Sequence, residues 1–189
     1  MSDQYFSVPH RLPLNVTPLV DDSELPTLEQ LDDEIPDAFK LASEVSTVDS
    51  GTARALRNMG DTGDEIAAFL EQQARKINVI MGYILSMQDD PELRHHTVSF
   101  GASEFIYESD KAVTEGSYLQ VKLFLHDEAS AVYAYAQVTG CESVEEQFHV
   151  SAKFCRLRES DHELLIRATL HVQSKLLKKR AEKRKGEDA

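Results

Sequence analysis

"SYLQVKLFLHDEASAVYAYAQVTGCESVEEQFHVSAKF", residues 117–154, alternates apolar and polar side chains in three successive runs. Leu119, Val121, Leu123 and Leu125 alternate with Gln120, Lys122 and Phe124. Val132, Ala134, Ala136 and Val138 alternate with Tyr133, Tyr135 and Gln137, and Phe148, Val150, Ala152 and Phe154 with His149, Ser151 and Lys153. Neighbouring residues of a strand face opposite sides, so each run presents one face to a core. The connections at Glu115-Gly116, Asp127-Glu128 and Glu142 to Glu146 are short and polar. The pattern predicts an antiparallel meander that curls into a small barrel.

Working outward toward the N-terminus, "YFSVPHRLPLNVTPL", residues 5–19, places Leu12, Leu14 and Val16 in alternation. Prolines 9, 13 and 18 confine this strand to an edge or a bulge, because proline cannot donate to a ladder. The strand is positioned to close the barrel. Residues 20–49 carry ten acids and one lysine, with Pro26 and Pro36 between them. Short acidic helices are expected there, around Leu28 and Leu31 and from Asp37 to Val48.

From about residue 62 to 88 the period changes. Ile66, Leu70, Gln73, Ile77, Ile80, Ile84 and Met87 are spaced 4, 3, 4, 3, 4, 3. That is a heptad repeat, whose period favours a supercoiled seam between helices over one-sided burial on a sheet. Isoleucine at both seam positions shifts preference toward three or four strands, and Gln73 is a polar position of the kind that fixes register. Ala67, Phe69, Ala74, Met81 and Tyr83 broaden the stripe beyond what a two-stranded coil needs. Pro91 follows the helix. At the other end of the chain, Ser160 and Glu163 are spaced as a capping box. Leu164, Leu165, Ala168, Val172 and Leu176 then give a last helix its apolar face. The expected organisation is an N-terminal barrel strand in 1–19, a helical insertion in 20–90, the barrel and its helix in 91–178, and a basic, disordered tail in 179–189.

Composition bounds the function. The 189 residues suit one domain with an appendage, and 41% are hydrophobic, enough for a sizeable core. The net charge of −13 argues against nucleic acid and anionic membranes. The charge is uneven: residues 175–189 hold seven bases and three acids, which leaves 13 bases and 30 acids elsewhere, a net of −17. Lysines and arginines at a helix end complement its exposed carbonyls. A tail that docks on a polyanion is the alternative. No apolar run approaches a membrane span of about 20 residues, and no basic-then-apolar leader opens the chain, so a cytoplasmic protein is expected. The two cysteines fit a reducing compartment.

No catalytic or metal motif is legible. Arg94-His95-His96 is expected in a solvated loop, since adjacent histidines diverge and zinc needs three or four converging ligands. A hairpin turning near Val144 sets Cys141 opposite about Gln147 and Cys155 opposite about Tyr133, out of register for a disulfide. The remaining candidate is "HHTVSFGASEF", residues 95–105, where a serine–glycine turn precedes an apolar run.

Here the chain resembles a known family. The run from Thr97 to Leu170 has the layout of a PilZ domain, the bacterial receptor module for cyclic di-GMP. The layout ends in Phe154, Leu157, Asp161, Leu164, Leu165, Ile166 and Arg167, which lead into the last helix. The resemblance implies an α+β fold: a six-stranded antiparallel β-barrel with a C-terminal helix. No nucleophile–base pair or carboxylate pair is legible, so no enzymatic activity is expected. Family members that bind cyclic di-GMP use R-x-x-x-R and [D/N]-x-S-x-x-G. In this chain Ser99 matches, Thr97 stands at the acidic or amide position, and Gly101 comes one position early with Ala102 in the glycine's place. R-x-x-x-R is missing before residue 97: Arg54 and Arg57 are three apart, and Arg11 and Arg94 stand alone. Each charge-assisted bond is worth about 1.5–3 kcal/mol, so losing two costs on the order of a hundredfold or more in affinity. Cyclic di-GMP binding is therefore expected to be weak or absent, with Thr97, Ser99 and Gly101 as the degenerate site. The inserted heptad helix resembles that of the atypical tetrameric PilZ group, in which long helices assemble four chains. The resemblance implies a homotetrameric signalling adaptor for protein partners in cyclic di-GMP-linked control of motility, biofilm or virulence. Two alternatives stay open: a receptor using Arg11, Arg54 or Arg94, and a nucleic-acid-binding barrel using the basic tail.

Overall fold

The computed structural model describes residues 7–20, 25–45, 56 and 58–187. Its strands are β1 (Ser7–Pro9), β2 (Pro13–Pro18), β3 (Arg94–Gly101), β4 (Glu104–Ser109), β5 (Tyr118–Leu125), β6 (Ser130–Val144) and β7 (Gln147–Arg156). Its helices are α1 (Leu28–Glu34), α2 (Asp37–Val45), α3 (Asp61–Ser86) and α4 (Glu159–Glu187).

All strand pairs are antiparallel, and the sheet closes on itself in the circuit β2–β5–β6–β7–β4–β3–β2. β1 and β2 both run along β3, with Val8 opposite Phe100 and Leu14 opposite His95. They form one interrupted strand, so six strands make the barrel. The interruption follows from the prolines, which supply no N–H to the ladder. At the break, Thr97 accepts a hydrogen bond from the Leu12 amide at 2.8 Å and donates to the His10 carbonyl at 2.7 Å.

The alternating residues fill two cores. Leu14, Val16, Leu119, Val121, Leu123, Val132, Ala134, Ala136, Val138, Val150 and Ala152 point into the barrel. Leu164, Leu165, Ala168 and Val172 of α4 close one side of the same core. The opposite face of β5 and β6 is also buried. There Phe124, Ala131, Tyr133 and Tyr135 meet Leu31 of α1 and Ile35 just after it, Phe39 and Ala42 of α2, and Met81 and Leu85 of α3. Phe39 is fully buried, its ring centroid 6.0 Å from Phe124 and 6.4 Å from Tyr133. The insertion is thus a second layer on the barrel's outer wall, a role that period two could not signal.

Polar contacts fix its entry and exit. Thr27 and Gln30 form a reciprocal capping box at the start of α1. The Tyr135 hydroxyl donates to Glu34. Asn15, nearly fully buried, donates to the Asp89 carboxylate and the Asp90 carbonyl and accepts from the Asp90 amide, which ties the exit of α3 to β2.

Several expectations are corrected. Ser99 and the Arg94–His96 run lie within β3, not in turns. His95 packs edge-on against Tyr107 at 5.3 Å. Cys141 pairs with Val150, because the β6–β7 loop is only Glu145-Glu146 and a bulge near Gly140 shifts the ladder. Both cysteines are free. α4 starts at Glu159, and the His162 amide bonds to the Arg158 carbonyl, so Ser160 sits inside the first turn rather than capping it. The tail expected to be disordered from 179 is helical to Glu187, since lysine, arginine, alanine and glutamate are good helix formers.

Candidate functional site

The sequence points to two surfaces, the Ser99 region and the α3 seam. Thr97 is 1% exposed and its hydroxyl makes both bonds of the β1–β2 break. It serves the fold and has no hydroxyl capacity left to donate to a ligand. Ser99 pairs with Pro9 on one side and Ile106 on the other. Gly101 is buried opposite Ser7. Ser99 lines a cavity of about 90 Å³ with Ser7, Glu104, Thr139 and Ser151. Small-molecule pockets run from roughly 300 Å³ upward, and Glu104 adds a carboxylate that disfavours phosphate. A wider cleft of about 410 Å³ opens between Ser103, Lys153, Leu157 and His162.

The arginines near this strand are held by acids. Arg11 donates to Glu108 at 2.7 Å and Arg94 to Asp89 at 2.9 Å. Burial lowers the His96 pKa below its usual value, and Arg11 lowers it further. The imidazole therefore does not supply the missing positive charge. Arg54 lies outside the described residues.

At the start of α4, Asp161 is fully buried and takes a two-pronged bond from Arg158 at 2.9 and 3.0 Å. Burial pushes its carboxyl upward, against the pull of that guanidinium. This is the aspartate of the motif read in the sequence, and it locks the β7–α4 junction.

The α3 seam is different. The 26-residue helix is anchored by Ala67, Met81 and Leu85. Ile66, Leu70, Ile77, Ile80 and Met87 are 44, 46, 43, 57 and 69% exposed. Gln73 and Ile84 are half-buried. Phe69 and Tyr83 are exposed beside the seam. Large exposed apolar stripes of this kind mark interaction sites. No described helix is long and apolar enough to cross a membrane.

No family model and no curated protein matches the sequence. Solved structures do match the fold. A pathogenic protein from Xanthomonas campestris, described as a tetrameric PilZ domain self-assembled through a helical bundle, is 18% identical. That match covers 93% of this chain and 92% of the other, with a TM-score of 0.57. The Bacillus subtilis inhibitor of motility MotI/DgrA is 10% identical with a TM-score of 0.50. That match covers 93% of this chain and 53% of the other. The closed six-stranded barrel, the inserted α3 and the C-terminal α4 together give this chain the fold of a PilZ domain.

Proposed function

We propose that this protein is a non-enzymatic PilZ-like adaptor that self-associates through α3 into a tetramer and acts in cyclic di-GMP-linked regulation of motility, biofilm or virulence. The observation that carries this reading is the exposed α3 heptad, with five of its seven positions more than 40% exposed in the isolated subunit. A helix of 26 residues runs roughly 39 Å, long enough for several layers of seam residues. The Xanthomonas protein's helical bundle supports the same use here. Four linked barrels would raise the apparent affinity for a multivalent partner without any new contact. Light scattering tests the assembly. A mass near four chains is expected for the wild type and near one for Ile77→Asp with Ile80→Asp. A monomeric wild type refutes it.

The second reading is a genuine cyclic di-GMP receptor using Arg11 and Arg94, whose side chains stay 61 and 39% exposed while paired with Glu108 and Asp89. Calorimetry with the nucleotide separates the two. Saturable binding at micromolar ligand, lost in Arg11→Ala, supports the receptor, and no heat supports the adaptor.

A further inference from the structure

α4 carries a second apolar stripe that the barrel does not use. Ile166, Leu170 and Leu177 are 40, 55 and 56% exposed. At 3.6 residues per turn they fall within an arc of about 40°, and roughly 150° away from the residues that face the core. Glu163 and Arg180 flank the stripe at its two ends, and both are exposed. Nothing within the described subunit requires three aliphatic side chains on that face.

The order of residues along the stripe is self-complementary. We infer that α4 pairs antiparallel with α4 of a second copy of this chain, about a two-fold axis passing between His171 and Val172. That axis sets Ile166 opposite Leu177 of the second copy and Leu170 opposite its Gln173. It also sets Glu163 opposite Arg180, twice, once on each side of the axis. An isologous contact requires this reciprocity. A parallel pair would instead place Glu163 on Glu163 and Arg180 on Arg180, like charge on like. The charge order therefore selects both the occupant and its direction.

The contact is small. Three half-exposed side chains per copy fall well short of the roughly 1,200 Å² that a stable interface buries. It is accordingly a weak contact, felt when copies are concentrated or already joined elsewhere. It uses no α3 residue and stands independently of the tetramer.

Sedimentation equilibrium of the full chain carrying Ile77→Asp and Ile80→Asp, from micromolar to near-millimolar concentration, tests it. A concentration-dependent rise in mass toward two chains is expected. Adding Glu163→Arg should weaken that association about tenfold or more, by setting arginine against arginine. Combining Glu163→Arg with Arg180→Glu should restore it. Both positions are exposed, so these variants fold. A mass that stays at one chain, or a double reversal that fails to rescue, overturns the inference. If the α3 substitutions leave a tetramer, the α3 reading fails on its own. The charge series then still decides the α4 contact from the association of tetramers.

Discussion

Thr97→Val removes one hydroxyl from the first position of the Thr97–Ser99–Gly101 pattern and leaves the side-chain volume almost unchanged. Thr97 is 1% exposed, and its hydroxyl bridges the Leu12 amide at 2.8 Å to the His10 carbonyl at 2.7 Å. Leu12 is itself 7% exposed, so water cannot replace the lost acceptor at its amide. An orphaned buried polar group costs about 1–3 kcal/mol. His10 is less enclosed, so its carbonyl recovers part of its share from solvent, and the sum is about 2–4 kcal/mol. For a chain of this size each kcal/mol lowers Tm by about 2–4 °C, which gives a fall of about 5–15 °C. Circular dichroism during thermal and urea unfolding reads this directly. Thr97→Ser keeps the hydroxyl and should recover most of the loss. A valine variant within about 0.5 kcal/mol of wild type would refute the structural role, since ordinary surface changes have that size. So would a variant of unchanged stability that had lost cyclic di-GMP binding.

Phe39→Ala empties the centre of the layer between the insertion and the barrel wall, beside Phe124 and Tyr133. It should cost about 3–5 kcal/mol in urea unfolding, and a loss below about 1 kcal/mol would show that the insertion is not packed there. Asp127 titrates below the usual aspartate range because Lys175 donates to it at 2.9 Å. A depressed carboxyl stabilises the fold above the ordinary aspartate pKa and loses that contribution as pH falls through the folded value. Carboxyl-carbon NMR should show Lys175→Met moving this titration upward, and an unchanged titration would break the assignment. Both groups are about half exposed, so the effect on overall stability is small.

The barrel was legible because period two is a local property. Leu119, Val121, Leu123 and Leu125 alternate whichever strand they pair with, and all four lie in the inner core. The α3 heptad was legible for the same reason: its spacing is written along one helix. The paired Thr97 hydroxyl was not legible, because its partners at His10 and Leu12 are more than 80 residues away along the chain. Ser99 read as a turn residue because Gly101 follows it. Pairing with β1 and β4 draws that stretch into a strand instead.

Sequence by itself determined which side chains share a face: the strand alternation, the seam of α3 and the core face of α4. Tertiary structure decided what covers each face. It buried Phe124, Tyr133 and Tyr135 beneath the insertion, and it left Ile77, Ile80, Ile166 and Leu170 uncovered. The physical reason is that periodicity arises from backbone geometry within a few residues. Burial depends on segments far apart in the chain meeting in space, and no local spacing records that meeting.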